Sequence, residues 1–290
     1  MDERTALGLL ADRLDPVGDD AAVVDGQVVT TDMLHDRTDF PEGTTRYTAG
    51  WRAVGASLSD VAAMGAAATA AVAVYAAPTF DESELLAFVD GASEVCEAVG
   101  AEYVGGDLDH HDEFTVATTA LGGTDDPVLR SGARVGDAVC VTGSLGRSGA
   151  ALRLFDRGDR DRANDLFRFE PRVAAGRALA VHATAMMDSS DGLARSIHQI
   201  AEASDCGVAV ESPLPIDPAV DDVADGASER LELGAFFGED FELVCTLPED
   251  ALEAAREALG VDLTRVGTVV KAEQGITLDG EPMPDRGYTH

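Results

Sequence analysis

Apolar runs in this chain stop repeatedly at an aspartate flanked by glycine, serine or threonine. The clearest case is Asp188-Ser189-Ser190-Asp191-Gly192. An apolar run, Ala183 to Met187, leads into it, and Leu193, Ile197 and Ile200 recur at helical spacing after it. A run of that length bounded by turn residues reads as a buried strand, and the following period as an amphipathic helix. Strands that hand over to helices through short polar turns belong in layered α/β or α+β folds, not in bundles or sandwiches. Ser190 or Asp191 is placed to cap the helix. The helix's free N–H groups attract anions, and paired carboxylates attract hard cations. A place that suits both a phosphate and a magnesium ion is a nucleotide site. Alone, the motif is equally well explained as a helix cap with a spare acid.

The first half repeats the pattern. Residues 2 to 14 carry leucines at helical spacing (Leu7, Leu10, Leu14). Asp19 and Asp20 open an apolar strand, Asp25-Gly26 is a hairpin turn, and the returning strand ends in Thr30-Thr31-Asp32. The two ends of an antiparallel hairpin are neighbours, so these acids are expected side by side. Residues 44 to 64 give a strong helix pattern, with Ser59-Asp60 set among apolar neighbours. An acid there must be paired, bind metal or reach solvent. A strand over 70 to 76 and a helix over 81 to 99 follow. A short strand, 101 to 104, then runs into Gly105-Gly106-Asp107, where two glycines let the backbone approach a ligand. His110-His111-Asp112 has no second histidine cluster to complete a zinc site. A strand over 113 to 122 ends in the turn Gly123-Thr124-Asp125-Asp126-Pro127, which places a domain boundary between 126 and 127.

The second half opens on a buried strand, 138 to 142, which ends in Gly143-Ser144-Leu145-Gly146 before a helix. Strand, glycine-rich turn and helix make an anion cradle, though without the lysine of a Walker A loop. A helix over 171 to 181 and the Asp188 motif follow, then a strand over 207 to 210 and a Pro/Asp-rich excursion over 212 to 226. Gly238-Glu239-Asp240-Phe241 leads into another strand. A helix over 249 to 259, a strand over 263 to 270 and a hairpin at Asp279-Gly280 complete the pattern. Neither half carries a dinucleotide-binding fingerprint.

Charge narrows the chemistry. The chain has 290 residues, 45% of them apolar, and a formal net charge of −33. Its single lysine is Lys271. Such an acidic surface disfavours nucleic acid as a partner and suits a cytoplasm of very high salt, where self-repulsion is screened. Cys96, Cys140, Cys206 and Cys245 form no Cys-x-x-Cys pair and are expected as free thiols in a reducing compartment. Met1-Asp2-Glu3-Arg4 has no signal-peptide pattern, so the expectation is a cytoplasmic protein. The uncharged run Val61 to Phe80 is broken by Gly65 and Pro78 and reads as a helix end and a buried strand, not a membrane span. A polyphosphate binds among so many acids only if cations intervene. Magnesium can supply that charge where lysine cannot, and Arg130 and Arg147 lie nearest the glycine-rich segments.

In order along the chain, the segments just described resemble the thiamine-monophosphate kinases of the aminoimidazole-ribonucleotide-synthetase-like superfamily. The resemblance rests on Gly18-Asp19-Asp20-Ala21-Ala22-Val23, Thr30-Thr31-Asp32-Met33-Leu34, Ser57-Leu58-Ser59-Asp60-Val61-Ala62-Ala63-Met64-Gly65-Ala66 and Gly105-Gly106-Asp107. It continues through Arg130-Ser131-Gly132, Val141-Thr142-Gly143-Ser144-Leu145-Gly146, Asp188-Ser189-Ser190-Asp191-Gly192-Leu193 and Gly238-Glu239-Asp240-Phe241-Glu242-Leu243. It implies two α/β domains of the aminoimidazole ribonucleotide synthetase type. Residues 1–126 would bind ATP and magnesium and form a homodimer through their strands, and 127–290 would complete the site. It further implies several magnesium ions held by Asp20, Thr30, Thr31, Asp32, Asp60, Asp107, Asp188 and Asp191. ATP would meet Gly106, Asp107, Arg130 and Ser190, and thiamine monophosphate would meet Asp39, Glu239 and Tyr288. The family usually has a histidine where Asp39 stands. The implied reaction is direct, in-line, magnesium-dependent transfer from ATP to thiamine monophosphate, with no covalent nucleophile or general base. The alternatives are another ATP-dependent enzyme of the superfamily and a nucleotide-binding regulator without turnover.

Overall fold

The computed structural model describes residues 9–10, 13–14 and 18–288. The helix expected over 2–14 therefore lies largely outside the described residues. The first sheet begins with the expected hairpin, β1 (Ala22–Val24) and β2 (Gln27–His35), turning at Asp25-Gly26. Helix α1 (Arg46–Ala63) follows, its first turn capped by the Thr45 side chain accepting from the Thr48 N–H. Then come β3 (Ala67–Ala77), α2 (Glu82–Ala98), β4 (Glu102–His110) and β5 (Thr115–Gly123). The five strands lie in the order β1-β2-β5-β3-β4, antiparallel except for β3 with β4. The uncharged run Val61 to Phe80 is a helix end and a strand. Among the described residues no helix is long and apolar enough to cross a membrane.

Helices α1 and α2 cross at two glycines. A Cβ on Gly50 would stand 2.1 Å from the Phe88 carbonyl oxygen, and one on Gly91 would stand 2.0 Å from that of Tyr47. Only hydrogen fits at either place, so the two backbones touch.

The second half contributes β6 (Ala138–Thr142), α3 (Arg147–Asp156), α4 (Arg160–Phe167), α5 (Val173–Leu179), β7 (Ala185–Asp188), α6 (Leu193–Ser204) and β8 (Cys206–Val210). After short helical turns come β9 (Leu243–Leu247), α7 (Leu252–Ala258), β10 (Leu263–Lys271), and the hairpin β11 (Ile276–Leu278) and β12 (Glu281–Pro282). The seven strands lie in the order β12-β11-β8-β10-β6-β9-β7. Helix α4 and the helical turns over 227–236 were not read from the sequence.

The alternation of side chains along a strand divides the core. Cys140, Met186, Leu243, Cys245 and Leu247 face Leu58, Val61 and the rest of the first half in one continuous apolar cluster. Their neighbours Val139, Val141, Met187 and Val244 face the other way, onto Leu193, Ile197 and Ile200 of α6. One face of the second sheet is therefore shared with the first half. The four cysteines are free thiols.

β4 runs on to His110 where the sequence suggested a stop at Val104. Its parallel pairing with β3 continues past a register shift, with Gly106 opposite Ala73. A Cβ on Gly106 would stand 1.6 Å from the Ala73 carbonyl oxygen, so this glycine serves strand pairing.

Candidate active site

The carboxylates of Asp20, Asp60 and Asp188 each offer an oxygen within 4.8 Å of the others. They come from three elements: the turn before β1, the last turn of α1 and the end of β7. Asp188 is buried; among the described residues its Oδ2 and the buried Ser59 hydroxyl beside it have no well-aligned hydrogen-bond partner, although the Ser59 side chain lies close enough to act on the Asp188 carboxyl. Burial and the facing Asp20 push the Asp188 carboxyl up to about 7. Burial, then the charges of Asp32, Asp188 and Asp20, hold the Asp60 carboxyl well above its usual range. Crowded acids of this kind titrate high unless a cation neutralises them. Oxygen donors alone, with an orphaned carboxylate oxygen among them, suit a hard divalent ion.

Hydroxyls and one guanidinium fix these acids. Thr30 donates to Asp60 Oδ2 at 2.5 Å, and Ser57 donates to Asp32 Oδ2 at 2.6 Å. The Ser190 hydroxyl and backbone N–H both donate to Asp188 Oδ1, at 2.7 and 3.1 Å. Ser190 therefore serves the carboxylate and does not cap α6; the N-cap is Gly192, with no side-chain cap bond. Arg130 grips Asp20 through Nε and Nη2, at 3.2 and 3.1 Å, and its backbone N–H takes Asp19 at 2.7 Å. The arginine that the sequence assigned to ATP is thus engaged with a member of the acid cluster.

Other expected residues lie apart from the cluster. Alternation along β2 turns Thr31 to the opposite face from Thr30 and Asp32, where its hydroxyl donates to the Thr118 carbonyl. Its side chain cannot join the inner cluster. Asp107 is exposed on β4, in register with Val74, then Ala117, then Met33. That row puts it three strand spacings from β2, about 14 Å, and within one chain it does not meet Asp32. Asp191 is outside the three-acid cluster, and its carbonyl accepts from the Tyr288 N–H at 3.0 Å.

The residues assigned to the acceptor do come together. The Tyr288 hydroxyl donates to the Thr38 carbonyl at 3.3 Å, and its ring meets Phe237 at 5.9 Å. Burial, then the charges of Glu239 and Asp39, push its phenol up to about 12, which places all three in one neighbourhood. Asp39 is buried, and its Oδ2 accepts from the His35 N–H and the Thr38 hydroxyl, both at 2.7 Å. That oxygen staples its own turn. The Glu239 N–H donates to the Ser190 carbonyl at 2.6 Å. A Cβ on Gly238 would stand 2.6 Å from the same carbonyl oxygen, so the Glu239 and Asp188 loops lie back to back.

The glycine-rich turn before α3 is not an open anion cradle. Asp240 fills it, accepting from the Gly146 and Ser148 N–H groups at 2.5 and 3.0 Å. Burial raises this carboxyl to about 7 despite those donors. Sequence reasoning also missed Arg52 and Ser57. Their signal was a charge and a hydroxyl inside an otherwise buried alanine-rich helix.

Two family descriptions match consecutive parts of the chain: AIR synthase related protein, N-terminal domain, over residues 18–124, and its C-terminal domain over 134–279. A thiamine-monophosphate kinase from Halobacterium salinarum is 63% identical over 290 residues, 100% of both chains. The chain belongs to the thiamine-monophosphate kinase family. A second such kinase, from Methanospirillum hungatei, is 39% identical over 100% of this chain and 99% of its own. The structure of AaThiL complexed with AMPPCP and TMP matches with a TM-score of 0.89 at 28% identity, covering 99% of this chain and 96% of that one.

Proposed function

We propose that the protein transfers the γ-phosphoryl group of ATP to thiamine monophosphate, giving ADP and thiamine diphosphate. The observation that carries this reading is the cluster of Asp20, Asp60 and Asp188 with its unsatisfied oxygens. The kinship to thiamine-monophosphate kinases names the acceptor. Asp20, Asp60 and Asp188, with Asp32 beside them, would hold magnesium. When bound, that ion would neutralise the phosphate charges that this lysine-poor chain cannot. The acceptor's own phosphate oxygen attacks in line. With a second pKa of about 6 it is largely ionised at neutral pH, so no side chain need act as a base. The chain's task is positioning: Arg130 fixes Asp20, Ser190 fixes Asp188, and Glu239, Tyr288 and the Asp39 turn hold the acceptor.

The acceptor-dependent step has a direct test. ADP release in molar KCl with magnesium is expected to require thiamine monophosphate and to yield thiamine diphosphate. ATP binding without acceptor-dependent release would favour a regulatory module, which the replacement of the family histidine by Asp39 would suit.

We also propose a homodimer in a reducing, salt-rich cytoplasm, with 1–126 as the ATP-binding and pairing part and 127–290 completing the site. Met33, Val74, Val104 and Leu108 are exposed on the strands of the first sheet. Gly106 and Asp107 lie on this same sheet, on β4, three strand spacings from β2. Light scattering should give twice the 30.1 kDa chain mass. A monomer with full activity would remove this part of the reading.

A further inference from the structure

Arg52 belongs to α1 in the first half, yet its guanidinium is wholly buried among residues of the second. It lies 3.7 Å above the centroid of the Phe167 ring, with Phe169 and Phe241 at 5.5 and 5.4 Å. Nη1 donates to the Phe167 carbonyl at 2.8 Å and to the Ser148 hydroxyl at 3.2 Å. Nη2 donates twice to one residue: the Glu239 carbonyl at 3.1 Å and Glu239 Oε2 at 2.7 Å. Burying a guanidinium is costly, and packing alone would be served by an apolar side chain of similar volume. What an apolar side chain cannot do is hold a carboxylate in a fixed direction.

Glu239 needs such a hold. It has a left-handed backbone, φ 63°, as does Phe241 at φ 54°. Conformations of this kind persist only where the surroundings enforce them. The Ser148 hydroxyl, at 2.5 Å, shares the Glu239 carbonyl with Arg52, and the Glu239 N–H is tied to Ser190 beside Asp188. The backbone thus has several anchors. Among the described residues the carboxylate has one cationic partner, Arg52, and that partner rides on the helix that also carries Asp60.

We propose that Arg52 is a positioning residue for the acceptor: by fixing the Glu239 carboxylate it links acceptor binding to the seating of α1 against the second half. The inference rests on the reading of Glu239 as a contact of thiamine monophosphate. Arg52 itself touches no reacting atom.

The test compares wild type, Arg52→Met, Arg52→Lys, Glu239→Gln and the double variant Arg52→Met/Glu239→Gln in molar KCl with magnesium. It reads kcat, both KM values, thiamine-monophosphate affinity by calorimetry and thermal melting. Arg52→Met is expected to raise KM and Kd for thiamine monophosphate about tenfold or more, with KM for ATP within about twofold. Arg52→Lys keeps the charge and loses the fork, and is expected in between. In the Glu239→Gln background, Arg52→Met should add less than about twofold. Equal changes in both KM values, an unchanged affinity for thiamine monophosphate, or effects that multiply in the double variant would overturn the role. If Arg52→Met does not fold, Arg52→Lys with and without Glu239→Gln supplies the same cycle. A wild type that neither binds nor phosphorylates thiamine monophosphate would overturn the acceptor reading and the role of Arg52 together. Normal wild-type binding with unaltered variants would overturn Arg52 alone.

Discussion

Asp188 is asked to be a carboxylate where a carboxylate is least comfortable. Its proton is held to about 7 by burial and by Asp20, far above the ordinary 3.8. A pKa raised in the folded state contributes stability that is complete below the unfolded value and is lost as pH rises through the folded one. The metal-free protein is therefore expected to melt at lower temperature as pH rises from about 4 to 8, and Asp240, also raised to about 7, adds to the same trend. Added magnesium should reverse much of the loss, and its affinity should climb across that window as Asp188 and Asp60 give up protons. Calorimetric magnesium titrations at pH 6 and pH 8 check this, and a pH-independent affinity would contradict it. Asp188→Asn should cost at least about 100-fold in kcat while leaving the metal-free fold intact. Melting curves and turnover with the same preparation would separate the two effects. Asp20, Asp60 and Asp188 were legible in the sequence because each breaks an apolar pattern. Arg52 was not: its partners, Phe167 and Glu239, are more than a hundred positions away, and periodicity carries no such information.

Among the elements, α1 bears most of the construction: Arg52, Ser57, Ser59 and Asp60 lie along it. Its position is set by Gly50 and by Gly91 of α2, where a single methyl group would strike a carbonyl. Gly91→Ala is expected to cost about 1–3 kcal/mol, or about 2–4 °C in melting temperature for each kcal/mol. Thermal melts of the variant measure it, and an unchanged melting temperature would mean that the helices can part freely. Helices with long apolar periods and strands bounded by glycine were readable, including β6 in full. The end of β4 was misplaced because Gly105-Gly106 looks like a turn, and only pairing with β3 shows it to be strand. Helix α4 was missed because its sequence, Arg160 to Phe167, is mostly charged and polar. Its helix is completed by packing: Phe167 lies under Arg52, and Asn164 bonds the Thr45 N–H and the Gly43 carbonyl.

At the scale of the whole molecule, the net charge of −33 opposes folding wherever it is not screened. The Debye length falls from about 8 Å at physiological ionic strength to about 3 Å at 1 M. Melting temperature should rise steadily with KCl, and dialysis to millimolar salt should unfold the protein. Circular dichroism against KCl concentration checks it, and indifference to salt would refute the high-salt reading. The core described above has a thermodynamic consequence of its own. Cys140, Met186, Leu243, Cys245 and Leu247 close the first half's apolar cluster, so melting either half strips solvent protection from the other. Heat should be absorbed in one peak, with calorimetric and van't Hoff enthalpies in agreement, although the chain carries two sheets. A gene cut between codons 126 and 127 would then yield fragments that recover native spectra only when mixed.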